Sequence, residues 1–265
     1  MNVLVLLAGI ADPKWPLPAG LAATTLAAQR ATYPLLSPFD EAALEIALKL
    51  RDADPTVQIS ALVAAASALD PLLKHVASFR LDQVNAFDTA RWPAWNSAAL
   101  AAALAAQLDT LAAAPDLVLI GREFGDLDDG GLPVTLAHAL NWAFSSLVLE
   151  VAAAEGGGVQ LLRQQGGGQE RQRRDLPLLA AVTNHARNRL RHPLLKNVMA
   201  AKKMAFALLA LPVPPEADAA PALQLAAAAL ATVPERSTAC RMLDGDAAAQ
   251  ARALATLLLA AGEPA

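Results

Sequence analysis

The sequence predicts an α/β protein, a three-layer sandwich on a mostly parallel sheet. Three observations predict it. Continuous apolar runs of strand length, at residues 3–7 and 117–120, read as strands buried on both faces, and residues 57–64 read as a further buried strand. Segments with apolar residues at helical spacing lie between them. Strand and helix in alternation is the pattern of parallel βαβ units. At 265 residues the chain can bury a large core, and its 55% hydrophobic content is spread rather than gathered in a span. Residues 98–120 are broken by Gln107, Asp109, Pro115 and Asp116, and residues 223–233 are too few to cross a bilayer.

The elements follow in order. The loop after the first strand, residues 8–13, lies where open parallel sheets bind ligands. Residues 14–36, rich in proline, alanine and threonine, read as a loop or hairpin insertion. A helix starts at Ser37-Pro38-Phe39-Asp40. Ser37 caps it, Pro38 suits the first position, and Asp40 completes a capping box. Leu44, Ala47, Leu48 and Arg51 continue it. The strand at 57–64 is followed by a helix over 69–76 and a strand over 82–87. Trp92 and Trp95 bracket Pro93 in a loop, and Asn96 or Ser97 caps the next helix. Leu100, Leu104, Leu108 and Leu111 form its core stripe. After the strand at 117–120, residues 121–135 run through glycines into a helix N-terminus. Such a joint can hold a phosphate on backbone amides, and is equally an ordinary loop. Strands follow at 145–151, 159–165 and 176–182, with Gly156-Gly157-Gly158 and Gly166-Gly167-Gly168 as hairpin-like turns between them.

Residues 187–203 join three features. Arg187, Arg189 and Arg191 crowd one end. Leu194, Leu195, Val198 and Met199 recur at helical spacing, with Pro193 at the helix start. Lys202 and Lys203 close the segment, where cations suit a helix C-terminus. Leu194, Val198 and Met199 are expected to hold this helix on the sheet. Leu195 then sits at an exposed shoulder ringed by Arg191, Lys196 and Lys202. The plain alternative is an amphipathic helix packed on its own domain. Ten of the 21 lysines and arginines lie between residues 163 and 203, against only Glu170 and Asp175. No aromatic residue is interleaved for base stacking, so an acidic protein surface fits this patch better than nucleic acid. Beyond it, residues 204–211 are apolar, 212–221 form a proline-acidic linker, and 223–233 and 246–261 read as helices.

Chemistry of its own is not expected. The lone Cys240 excludes an intrachain disulfide and a thiolate cluster. His75, His138, His185 and His192 lack ligand spacing, and no nucleophile–base pair stands out. No basic region precedes Val3, so no signal-peptide pattern is present and the chain reads as cytoplasmic.

Taken together, several segments resemble the beta subunit of electron transfer flavoprotein. Leu195-Lys196-Asn197-Val198-Met199-Ala200-Ala201-Lys202-Lys203 is similar to its L-P-N-I-M-x-A-K-K signature, with Lys196 in place of the proline. Residues 37–47 resemble N-P-F-[DC]-E-x-A-[VL]-E-x-A. Residues 121–142 align without gaps on the loop that reads D-D-D-x-x-Q-T-G, keeping Asp126, Asp128 and Trp142. Glu170 follows a glycine turn as in D-G-G-x-E. Residues 183–187 take the place of T-x-D-x-R, with His185 for the aspartate, and residues 235–239 resemble P-x-R-x-A-G. The likeness covers most of the chain up to Lys203 and the tail in outline.

The resemblance implies an adenine-nucleotide alpha-hydrolase-like Rossmannoid domain over residues 1–211. Residues 212–265 become a linker and helical C-terminal arm contacting an alpha subunit. It implies an electron carrier, not an enzyme. FAD is held mainly by the alpha subunit, a flavin dehydrogenase docks, and electrons pass to a membrane quinone oxidoreductase. Leu195 becomes the anchor in a dehydrogenase pocket, with Arg191, Lys196, Met199 and Lys202 about it. Phe39 faces the flavin, or else staples its own helix. Glu170 pairs with an alpha-subunit arginine, or else is a solvated turn carboxylate. Leu6, Ala8, Ser37, Asp126, Asp128, Asp129, Gly130, Gly131 and Thr135 mark an AMP site, in degenerate form. Ala8-Gly9 replaces a basic pair, Ala65-Ala66 replaces Gly-Pro, and Gly131-Leu132-Pro133 replaces Q-T-G. AMP is therefore expected weak or absent, with its space filled by side chains. Two rivals stand beside this reading: a bifurcating type with a second FAD in this chain, and a freestanding nucleotide-binding sensor of related fold.

Overall fold

The first strand, β1 (Asn2–Leu7), is central because each of its faces meets an apolar layer. Val3, Val5 and Leu7 point into one core cluster, and Leu4 and Leu6 into the other. This alternation within a wholly apolar run is the mark of a strand covered on both sides. The computed structural model describes residues 1–12, 14, 34–64, 71–89, 92, 96–111, 113–125, 130–212 and 242–261. Among them the short strands β2 (Ile10–Ala11) and β3 (Pro34–Leu35) pair antiparallel. Then come α1 (Pro38–Ala53), β4 (Gln58–Ala64), α2 (Pro71–Ala77), β5 (Gln83–Phe87), α3 (Ser97–Asp109) and β6 (Leu117–Gly121). The second half holds α4 (Gly131–Ala139), β7 (Ala143–Ala153), β8 (Val159–Gln165), β9 (Gly168–Arg174) and β10 (Leu178–Val182). A 3-10 turn at Ala186–Asn188, α5 (Leu195–Ala201) and β11 (Leu208–Leu209) complete it.

The nine-stranded sheet runs β11-β5-β4-β1-β6-β10-β7-β8-β9. Its pairings are parallel except those of β8, which is antiparallel to both β7 and β9. α1 and α2 cover one face through Leu44, Leu48, Leu72 and Val76. α3 and α4 cover the other through Leu100, Leu104, Leu108 and Leu136. The three-layer α/β sandwich is thus the fold. From β1 the chain builds outward to β4 and β5, then returns to the opposite side of β1 with β6 and β10. The order reverses between β1 and β6, and ligand crevices open beyond the strand ends at such a switch point.

Four details differ from the sequence reading. The strand β9 is additional, so the glycine turn at 166–168 joins β8 to β9, and β10 returns to the parallel part of the sheet. Its pattern Gly-Gln-Glu-Arg-Gln-Arg-Arg lacks an apolar face because it is an edge strand with much of both faces in solvent. α5 starts at Leu195 with Leu194 as its N-cap, so Pro193 lies ahead of the helix. Leu194 and Met199 do not hold it on the sheet: they are 61% and 51% exposed, and Ala201 is buried instead. Arg191 is not a loose rim charge, since it is ion-paired to α1 through Glu45 and Asp52.

The chain divides into two compact units, Met1–Gln224 and Leu225–Ala265. In the second, α6 (Ala247–Ala261) opens on Asp246, whose Oδ1 accepts the Ala249 N–H at 2.8 Å. Its Leu254, Leu257 and Leu258 are exposed. Among the described residues no helix is long and apolar enough to cross a membrane. Pro93, Trp95, the turn 65–68, the segments 223–233 and 235–239, and Cys240 lie outside the described residues.

Candidate functional site

The switch point gathers the loop after β1, the N-terminus of α1, the end of β6 and the start of α4. Ser37 caps α1 as its sequence implies: its Oγ accepts the Asp40 N–H at 3.0 Å. The Asp40 carboxylate turns across to the β1 loop, where Oδ2 accepts the Gly9 N–H at 3.1 Å. Asp40 is fully buried, and Oδ1 has no hydrogen-bond partner. Burial pushes its pKa up to about 6, against the pull of the Gly9 amide.

Gly121 ends β6 where α1 comes closest. A Cβ there would lie 2.9 Å from the Phe39 Cβ and 3.0 Å from the Glu123 carbonyl oxygen, so only glycine fits. Phe39 is half-buried at this edge. The Arg122 guanidinium lies over its ring, 4.9 Å from the centroid, in a cation–π contact. Arg122 also donates from Nε to Glu123 Oε1 at 2.8 Å. Gly130, in left-handed conformation, is the N-cap of α4. A groove of about 310 Å³ runs from Arg122, Glu123 and Gly130 to Phe144, Ser146 and Leu147. Leu147 has φ 55°, and the register of β7 against β10 shifts beside it. Sequence reasoning missed Arg122, Phe144 and Leu147. Arg122 could have been found as the first side chain past a buried strand, whereas a left-handed leucine carries no sequence signal.

The residues expected to hold a nucleotide are only partly brought together. Ala8 is buried, and the Gly9 N–H is taken by Asp40. Gly9 itself is covered: a Cβ on it would meet Leu72 Cδ2 at 2.6 Å. The Leu6 side chain is fully buried in the core beneath α3 and α4. Pro133, in the first turn of α4, has no N–H to donate. The Thr135 hydroxyl lies on its own helix, 2.9 Å from the Gly131 carbonyl oxygen and 3.1 Å from that of Leu132. Asp126, Asp128 and Asp129 lie outside the described residues. A buried carboxylate and three occupied or missing donors do not suit a phosphate, so the described part of this site does not fit AMP.

The second cluster is on α5. Leu195 is 77% exposed, beside exposed Leu194, Met199, Lys196 and Lys202. Upstream, the chain is bolted down. Lys49 Nζ donates to the Arg187 carbonyl at 2.6 Å, and Asn188 Nδ2 to that of Leu149 at 2.6 Å. His185 Nδ1 accepts the Arg187 N–H at 3.2 Å, so the histidine caps the 3-10 turn. Glu170 stands on β9, half-buried, paired across the ladder with Arg163. It is therefore a strand residue and not part of the turn.

No curated protein matches the chain. The electron transfer flavoprotein domain matches residues 25–214, which begins after β1 and its loop, ends just past β11 and takes in α1, β6, α4 and α5. With well over half of its length covered by that match, the chain belongs to the electron transfer flavoprotein domain family.

Proposed function

We propose that the chain is the beta subunit of an electron transfer flavoprotein. It pairs with an FAD-carrying alpha subunit and docks a flavin dehydrogenase through α5. The single observation that carries the docking reading is Leu195. A leucine 77% exposed at the start of a short helix, beside exposed Leu194 and Met199, is an apolar contact patch. Lys196 and Lys202 are exposed around it and suit an acidic rim on the partner.

FAD, bound by the alpha subunit, supplies the redox chemistry. This chain contributes the half-buried Phe39 at the subunit boundary. The Arg122 cation over that ring favours added negative charge nearby. Glu170 offers a carboxylate to an alpha-subunit arginine, and residues 212–265 form the arm that contacts the alpha subunit. The electrons leave to a quinone oxidoreductase, and the protein works in the cytoplasm.

The test is Leu195→Ala. Truncating an anchor of this kind costs about 2 kcal/mol or more, over tenfold in affinity. Reduction by the dehydrogenase should slow at limiting carrier concentration. Flavin content, subunit assembly and reduction by dithionite should stay as in the wild type. A wild-type rate with the dehydrogenase would remove the docking role from α5.

A further inference from the structure

The docking helix cannot hold its own position. α5 has seven residues, and its N-cap Leu194 supplies no side-chain bond. Only Ala201 of the helix is buried. A helix that short is not stable alone in water, so its pose must come from its packing beside α2 and from the segments on either side. Downstream, Phe206 is buried in the same cluster as Ala201. Upstream, only His192, Pro193 and Leu194 separate α5 from Arg191.

Arg191 is held more firmly than any neighbour. Its backbone N–H donates to Glu45 Oε2 at 3.1 Å, and Nη2 donates to Oε1 at 2.9 Å. Nε donates to Oε2 at 3.1 Å, and Nη1 pairs with Asp52 Oδ2 at 2.7 Å. The Glu45 side chain is 7% exposed, so this carboxylate depends on its arginine. Main chain and side chain of one residue grip one carboxylate, while the remaining nitrogen takes a second. Only the guanidinium fork can do this; a lysine ammonium reaches one acid at a time.

We infer that Arg191 is a positioning residue: by clamping the docking segment to α1 it sets the pose in which Leu194, Leu195 and Met199 are presented, without touching the partner. The inference rests on the docking reading above. Without the clamp, the next side-chain bolt upstream is Asn188. The stretch ahead of α5 then grows from residues 192–194 to residues 189–194, held by the partly buried Leu190 and by the attraction of Arg189 to Glu41 of α1.

Two variants test it in the assembled complex. Arg191→Lys keeps the charge and loses the fork. Glu45→Gln with Arg191→Gln removes the buried charge together with its partner, so that loss of fold is not the only outcome. Two quantities are read. One is hydrogen exchange at the Val198 and Lys202 amides, which bond to Leu194 and Val198. The other is the concentration dependence of reduction by the dehydrogenase that co-purifies with the wild type. Both variants should exchange at least about tenfold faster there and raise the KM for the carrier about tenfold, the equivalent of about 1.4 kcal/mol. The saturated rate and flavin spectrum should not move. Unchanged exchange in both variants overturns the clamp. So does an unchanged KM where Leu195→Ala raises it. Should Leu195→Ala leave KM unchanged, the docking reading falls, and the exchange measurement still decides on the clamp.

Discussion

At the scale of single residues, Asp40 carries the clearest prediction. Its folded pKa of about 6 stands above the ordinary 3.8 because burial opposes its charge. Below the lower value both states hold the proton and nothing is lost. Between the two, the folded protein keeps a proton that the unfolded chain has released, so stability falls as pH rises. Above about 6 the loss is complete, on the order of 3 kcal/mol for a shift of this size. Asp40→Asn stays neutral, and its amide oxygen can still accept the Gly9 N–H. Thermal melts from pH 4 to 8 should show a flatter profile and a more stable variant at the alkaline end; a slope equal to the wild type would show that Asp40 does not titrate there. Phe39 carries the second prediction. Phe39→Ala should move the flavin absorption or potential in a heterodimer that still assembles, and an unmoved spectrum would return the ring to packing under α1. Half of this corner was legible. Ser37, Pro38 and Asp40 announce a capped helix because a cap is local. The turn of the Asp40 carboxylate to Gly9, 31 positions upstream, is not legible from local pattern. Nor is the pairing of Arg191 with Glu45 across 146 positions.

At the scale of elements, the parallel core was readable because strands buried on both faces must be continuously apolar. β1 from Val3 onward and β6 satisfy that rule, while β4 admits Gln58 and Ser60, neither of them buried. β9 escaped because an edge strand with polar residues on both faces has no hydrophobic period to find. α5 misled in a different way. Its apolar spacing is real, but the face so marked is turned outward, and spacing alone cannot say whether a stripe meets its own sheet or a partner. The joint between β6 and α1 offers a sharp test of element packing. Gly121→Ala would force a methyl group against the Phe39 Cβ and the Glu123 carbonyl, both within 3.0 Å of it. One of them is backbone, so the strain cannot be relieved by a rotamer. Overpacking of this kind costs about 1–3 kcal/mol, at roughly 2–4 °C of Tm per kcal/mol for a chain of this size. The variant should melt several degrees lower and shift the flavin spectrum in the sense of Phe39→Ala. A wild-type Tm would mean that β6 and α1 are not held as closely as the distances indicate.

At the scale of the whole molecule, a doubly covered parallel sheet leaves a crevice at its switch point, and most such folds fill it with a ligand. Here the chain fills much of it. Leu72 covers Gly9, Asp40 occupies the Gly9 amide from inside, and Pro133 withholds a donor from the first turn of α4. Above pH 6 the Asp40 carboxylate also places negative charge where a phosphate would need the opposite. The sequence substitutions at Ala8-Gly9, Ala65-Ala66 and Leu132-Pro133 point the same way, since each removes a donor, a charge or a tight turn. The purified protein is therefore expected to carry no AMP, and acid extraction followed by mass spectrometry should find none. Added AMP gives an independent measure. A ligand present at a hundred times its Kd stabilises the folded state by about 2.7 kcal/mol, roughly 5–11 °C of Tm for a chain of this length. If AMP bound with a Kd of about 10 μM, 1 mM would produce that shift. The expected shift is none. A rise of several degrees, or stoichiometric AMP in the extract, would show that the backbone around Gly130 and Gly131 holds a phosphate despite the loss of its neighbours.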